Sequence, residues 1–441
     1  MWITVAQFFL SLSILVILHE WGHFSAAKWF KTRVEKFYLF FNPGFSLFKF
    51  QKGETEYGIG WLPFGGYVKI AGMIDESFDK EQMQGEPQPW EFRSKPAWQR
   101  LIIMVGGVTV NFILGIVIFS MLFWVYGESY IPNDSLPNGV AVDSTGYELG
   151  LRDGDQILQV GELTLDKFSG GLITKEIVIN EAKSIKVLRD GQEREVQVSE
   201  EIRQSLTKYD NRNVRLVAPR LPYVIGAFTK KSIGKEAGLE KGDRIISIND
   251  EPIQYAHEFV RSFDNFKGDA ISMGVLRGTD TVGVNITLGE DRKIGIDAYP
   301  VSHFIDLKKE KYTFLASIPA GWNKSWTFLT DQIKAFGQMF SGKIKAKDSL
   351  GSFITIGKMF GTNWNWERFW SMTAMLSILL GFINLLPIPA LDGGYVMFLL
   401  FESITGIKVP DRVMEIANLI GFALLIILMI YALGLDISRL F

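Results

Sequence analysis

Two of the chain's four histidines, His19 and His23, stand four residues apart in the segment LHEWGHFSAAKW (18–29). Residues four apart share one face of a helix, so both imidazoles could reach one metal ion. Glu20 follows the first histidine, turned about 100° around the helix. From there it could reach a water held by the metal and act as general base. Zinc suits this work because it brings the pKa of such a water down towards ~7. The run that precedes the motif, WITVAQFFLSLSILVI, carries no charge. Ionisable groups at membrane depth are costly and are usually functional. A pair of hydrogen-bonded core histidines is the plain alternative, and it leaves Glu20 unexplained.

A catalytic metal of this kind needs a third protein ligand and an open fourth position. The chain has no cysteine, which excludes thiolate ligands, a cysteine nucleophile and disulfides. His257 and His303 lie in a long segment remote from the first. The better candidate is Asp392, the only charge in GFINLLPIPALDGGYVMF (381–398). Pro387 and Pro389 are expected to break the helix and leave Asp392 on irregular backbone. Asp392 could instead cap the helix that follows, but a two-histidine site in want of a carboxylate favours the ligand.

Four apolar stretches must position these groups: Trp2 to about Phe30, Leu101 to Tyr126, Phe369 to about Ile388, and Val413 to Leu435. Each supplies the roughly 20 residues a span requires, in a chain of 441 residues that is 47% hydrophobic. A net charge of −2 gives no footprint for nucleic acid. The N-terminus lacks the basic stretch of a signal peptide, so the first span is expected to be retained. Lys28, Lys31, Arg33 and Lys36 follow the first span, and Arg93, Lys95 and Arg100 precede or open the second. By the positive-inside rule that loop is cytoplasmic. Both termini and residues 127–368 are then extracytoplasmic, and the metal site faces the cytoplasmic side.

The long outer segment contains an internal repeat. GYELGLRDGDQILQVGE (146–162) aligns with GKEAGLEKGDRIISIND (234–250), and VLRDGQEREVQV (187–198) with VLRGTDTVGVNI (275–286), both at an offset of 88. The pattern resembles PDZ domains through Gly150, Leu151, Gly154, Asp155 and Ile157 in one copy. Gly238, Leu239, Gly242, Asp243 and Ile245 carry it in the other. PDZ domains bind chain ends by strand addition; these two could equally be spacers or size filters. Residues 34–73, aromatic and glycine-rich, read as β-hairpins that dip into the membrane. Trp322, Trp326, Ile333, Phe336 and Phe340 recur at helical spacing, which predicts an amphipathic helix over 312–340 on the outer membrane face or a packed helix of the outer domain.

Together, HEWGH in the first span, NLLPIPALDGG (384–394) in the third and the repeat between them resemble the site-2 protease family, and within it the RseP-type regulators of sigma-E with tandem PDZ domains. EYGIGWLPFGGYVKIAGM (56–73) resembles the family's membrane-associated β-region, and FRSKPAWQRLIIMVGGVTVNF (92–112) the entry to its second span. The expected fold is a multi-pass α-helical membrane protein with four transmembrane helices, a membrane-associated β-hairpin region and two α/β PDZ domains. Its divisions are 1–30 (first span), 31–98 (cytoplasmic β-region), 99–127 (second span), 128–215 and 216–300 (the PDZ pair), and 301–366 (extracytoplasmic, with the amphipathic helix). The remainder is 367–400 (third segment, with the LDG motif), 401–412 (cytoplasmic loop) and 413–437 (fourth span).

The resemblance implies zinc-dependent intramembrane proteolysis of single-span membrane proteins, such as anti-sigma factors or remnant signal peptides. It implies one Zn²⁺ on His19, His23 and Asp392, with Glu20 as base. Asn384 matches a family asparagine that holds the substrate chain or the oxyanion, and Asn111 lies in the matching G-x-x-x-N-F motif, GVTVNF, where it could help position substrate. Gly65, Gly66 and Tyr67 could offer a strand edge to an unwound substrate. Iron or cobalt would also suit the ligand set. The family often has Gly-Pro where this chain has Gly107–Val108, and again at Ser352–Phe353; neither departure is expected to bear on the metal or the base. Two rival readings are an inactive membrane-anchored PDZ scaffold and a zinc transporter. The intact ligand and base positions speak against the first, and the clustering of ligands at one depth against the second.

Overall fold

The computed structural model describes residues 2–63, 65–73, 86–211, 215–290 and 292–439. Phe64 and residues 74–85 of the expected β-region, and 212–214 and Asp291 of the repeat, lie outside the described residues. The chain divides into two compact units.

The first unit comprises Met1–Gly127, Lys311–Gly337 and Ser349–Phe441. Among its described residues are four helices long and apolar enough to cross a membrane: Trp2–Trp29, Ala97–Tyr126, Trp366–Leu385 and Arg412–Ser438. The first two approach at backbone contact. A Cβ on Gly22 would lie 2.4 Å from the Gly106 carbonyl oxygen, and one on Gly106 would lie 2.6 Å from that of Gly22. Small residues at a crossing let membrane helices come this close. The first and third spans share a buried Ser11–Thr373 hydrogen bond of 2.9 Å. Ser377 of the third donates to the Asn111 carbonyl of the second at 2.7 Å.

The stretch expected as one segment over 367–400 is two helices. The third span ends at Leu385, and a second helix runs Asp392–Thr405. The prolines end the first helix as expected. Asp392, however, opens the next helix instead of sitting on irregular backbone. The glycines after it are what allow this: a Cβ on Gly393 would meet the Leu386 carbonyl oxygen at 2.1 Å, and one on Gly394 that of Ile388 at 2.7 Å. At its far end this helix is tied to the second span by an Arg100–Glu402 pair at 2.5 Å, in which the arginine is buried and the glutamate half-buried.

The β-region folds as one mixed four-stranded sheet, not as successive hairpins. Its strands are β1 (Val34–Leu39), β2 (Phe48–Lys52), β3 (Thr55–Ile59) and β4 (Tyr67–Ile70), in the order β2-β3-β1-β4. Among the described residues only β2–β3 is a hairpin; β3 pairs parallel with β1, and β4 pairs antiparallel with β1. Among the described residues β4 is therefore an edge strand. The helix expected over 312–340 spans Phe314–Phe340. Trp322, Trp326 and Ile333 on it are exposed. It also packs along the spans: a Cβ on Gly321 would touch Ser120, and the rings of Phe336 and Phe382 lie 5.4 Å apart.

The second unit comprises Glu128–Glu310 and Gln338–Asp348. The repeat read at an offset of 88 is a repeat of structure. The first copy orders its strands 192–197, 184–189, 156–160, 163–164, and the second orders 280–287, 270–277, 244–248, 251–252. Leu151, Ile157, Ile185 and Val187 are fully buried in one core, and Leu239, Ile245, Met273 and Val275 occupy the same places in the other. Arg189 donates to both carboxylate oxygens of buried Asp155, and Arg277 does the same to Asp243. The boundary at 215/216 moves, however. Leu216 and Val217 bury in the first core, and strand Val217–Pro219 pairs with Val140–Val142. Ile305 also returns to that core, because the first copy closes with residues from beyond the second.

Burial alone would raise the Asp243 carboxyl, but Arg277 and the Glu240 amide hold it below the ordinary carboxylate range. A folded pKa below the unfolded one stabilises above the unfolded value, near 3.9, and that stability is lost as pH falls through the folded value. Asp243→Asn should therefore cost about 2 kcal/mol at pH 7. The difference from wild type should shrink towards pH 3. Scanning calorimetry of the full-length protein in detergent, at both pH values, measures it.

Candidate metal centre

The first span places His19 and His23 one turn apart on its buried face. His23 Nδ1–H donates to the Ile103 carbonyl at 2.9 Å, which leaves Nε2 with a free lone pair. His19 Nε2 lies 3.2 Å from His23 Nε2. Asp392 Oδ2 lies 3.3 Å from each of them. That oxygen is buried with no hydrogen-bond partner among the described residues. Three atoms bound at about 2.0–2.1 Å to a tetrahedral zinc stand about 3.3 Å from one another. The near-equilateral triangle of two imidazole nitrogens and one carboxylate oxygen has that size, and the orphaned oxygen faces into it. It is the one group of this kind found among the described residues.

The remaining candidates fall around the triangle in different ways. Asn111 Nδ2 is 3.0 Å from His19 Nδ1. A histidine that ligates through Nε2 carries its proton on Nδ1 and needs an acceptor there. The Asn111 amide meets that need when its Oδ1, buried here without a partner, turns to the ring. Asn384 Nδ2 lies 3.4 Å from His19 Nε2, at the mouth of the triangle. Glu20 sits beside the sheet: a Cβ on Gly66 would lie 3.4 Å from its Cγ and 2.6 Å from Val16 Cγ1. The Val68 backbone N–H faces its carboxylate. The β4 edge that does not pair with β1 thus looks onto Glu20. Gly65 has φ 147°, a backbone that favours glycine. Tyr67 stacks on Tyr38 and Phe41 and donates to Asn42 at 2.9 Å, so its ring is engaged within the sheet.

The departure at Gly107–Val108 was expected to have no bearing on the metal or the base, yet the glycine of that pair lies against both imidazoles. A Cβ there would stand 2.4 Å from His23 Nε2 and 2.7 Å from His19 Cε1. The signal in the sequence is its spacing: Gly107 and Asn111 are four apart and face two histidines that are also four apart. Ser352 and Phe353 lie away from the triangle, where Ser352 caps a short helix and is held by Asp436.

A sequence model of Peptidase family M50 matches residues 7–428. The chain is similar to the protease RseP of Yersinia pestis, 29% identical over 460 residues, 99% of each chain. It is similar to the regulator of sigma-E protease RseP of Escherichia coli, 28% identical over 455 residues, 99% of this chain and 98% of that one. The regulator of sigma E protease of Haemophilus influenzae is 27% identical over 452 residues, 99% of each.

Gly107→Ala should lower the divalent-cation content of the purified protein by about 10-fold or more at limiting metal, because the added methyl group stands where the two imidazoles meet. Elemental analysis of wild type and variant, with circular dichroism as a check on folding, measures this.

Proposed function

Because the chain belongs to Peptidase family M50 and is a site-2-type metalloprotease, we propose that it is a zinc-dependent endopeptidase that cuts transmembrane segments of single-span proteins at His19, Glu20, His23 and Asp392. The observation that carries this reading is the 3.2–3.3 Å triangle of ligand atoms, set among apolar helices beside a carboxylate and a strand that, among the described residues, lies at a sheet edge. Two imidazoles and one carboxylate suit zinc, with one ion per chain. When bound, the ion supplies Lewis acidity to a water and to the scissile carbonyl.

The residues of the chain do the rest. Glu20 takes the proton of the attacking water and passes it to the leaving amine nitrogen. Asn384 donates its amide N–H to the substrate carbonyl oxygen as negative charge develops there. Asn111 fixes the His19 ring. A substrate helix hides its peptide bonds and must unwind before attack. The backbone of Gly65, Gly66 and Tyr67 receives it as an added strand, and the absence of a side chain at Gly66 leaves it room beside Glu20.

The two repeat domains are PDZ domains that restrict access to substrates already trimmed on the outer side. The setting is the inner membrane of a bacterium, with termini and repeats extracytoplasmic and the metal towards the cytoplasm. The basic residues around the first loop support that orientation. Its substrates include anti-sigma factors and remnant signal peptides; two relatives are named as regulators of sigma E.

The test is cleavage of a single-span reporter by purified full-length protein in detergent. Wild type should cut within the span. Glu20→Gln should lose at least about 10³-fold in rate while retaining one zinc per chain, and a chelator should silence wild type. Equal inertness of wild type and Glu20→Gln on several reporters, with zinc bound, would overturn the assignment.

A further inference from the structure

The turn that carries Asp392 is fastened by the fourth span. Ala390, two residues before Asp392, has φ 74°. An L-residue in this left-handed region costs about 1–2 kcal/mol and needs support from its surroundings. That support comes from Asn418, whose Oδ1 accepts the Ala390 N–H at 3.2 Å. The other end of the same amide donates to the Tyr395 hydroxyl at 3.0 Å. Tyr395 lies one turn past Asp392 on the helix that Asp392 opens. One side chain therefore bridges the residue two before the carboxylate and the residue three after it. One turn along the fourth span, Gly421 receives the same turn: a Cβ there would stand 1.9 Å from the Pro389 carbonyl oxygen.

Asn418 and Tyr395 are both buried, although the fourth span is the least buried of the four spans described. A buried amide in a membrane helix can be simple glue between helices. Here both of its partners flank a single carboxylate, and that carboxylate is the ligand that comes from farthest along the chain. We infer that Asn418 is a positioning residue for the metal centre. Its amide sets the Asp392 carboxylate against the two imidazoles and so links the seating of the fourth span to cation affinity. This rests on the reading of His19, His23 and Asp392 as zinc ligands.

The experiment is a zinc competition titration against a chromophoric chelator, with full-length protein in detergent. Wild type, Asn418→Ala, Tyr395→Phe and the double variant are compared, and thermal unfolding of each metal-free protein is recorded alongside. Asn418→Ala should weaken zinc binding about 10-fold. Tyr395→Phe, which keeps the ring and removes only the hydroxyl, should weaken it less and in the same direction. The double variant should be no weaker than Asn418→Ala, because both changes act through one amide. Metal-free unfolding should move little. Unchanged zinc affinity in Asn418→Ala overturns the inference, as does a loss of metal-free stability with affinity preserved. If Asn418→Ala does not fold, Tyr395→Phe decides: unaltered affinity overturns the inference. A wild type that binds no zinc instead defeats the ligand assignment beneath it.

Discussion

Two imidazole nitrogens and a carboxylate oxygen converge to within 3.3 Å of one another among helices built of apolar residues. Left to themselves these electron-rich atoms repel, and burying them is costly. The structure around them is organised to hold them there. Gly22 and Gly106 let two spans touch at the backbone, and Gly107 clears the space the rings fill. Ile103 and Asn111 take the far nitrogens of the two rings. The carboxylate arrives on a helix of its own, braced at its far end by Arg100–Glu402 and at its near end by the turn over Gly393 and Gly394.

Much of this centre was legible in the sequence because its parts obey local rules. His19 and His23 lie one helical turn apart, so their spacing alone fixes their shared face and turns Glu20 about 100° from the first of them. Asp392 stood out as the only charge in an apolar run. Its backbone was misread: Pro387 and Pro389 announce a break, but only the contacts at Gly393 and Gly394 show that a helix restarts at once on Asp392. The bearing of Gly107 on the rings was missed, since a glycine in a span carries no chemistry of its own and acts through what it leaves empty. Asn418 was beyond reach for another reason. Its partners lie 28 and 23 residues away, and no periodicity joins an amide in one helix to a strained alanine in a turn.

The second unit shows the same division. The offset of 88 predicted two copies of one domain, and it holds for strand order, for buried positions and for the Asp–Arg pairs Asp155–Arg189 and Asp243–Arg277. It did not predict where the copies end. Strand Val217–Pro219 and Ile305 complete the first copy from outside its expected limits, because a domain closes wherever hydrogen bonds and apolar surface remain to be covered. Alignment records the shared middle of a repeat and is blind to how its edges are sealed.

The sheet beside Glu20 completes the logic of the proposed reaction. A helical substrate offers no free peptide groups, and a strand edge offers a row of them at fixed spacing. Among the described residues β4 is such an edge; its amide at Val68 faces the Glu20 carboxylate, and Gly66 lies against Val16 and Glu20 with no side chain between. Pairing there would hold a substrate extended at the depth of the metal triangle, exchanging the hydrogen bonds of the helix for those of a sheet. On the proposed reading the cost of unwinding would be met where the chemistry occurs, and a segment that stays helical would be left uncut because it has no groups to pair.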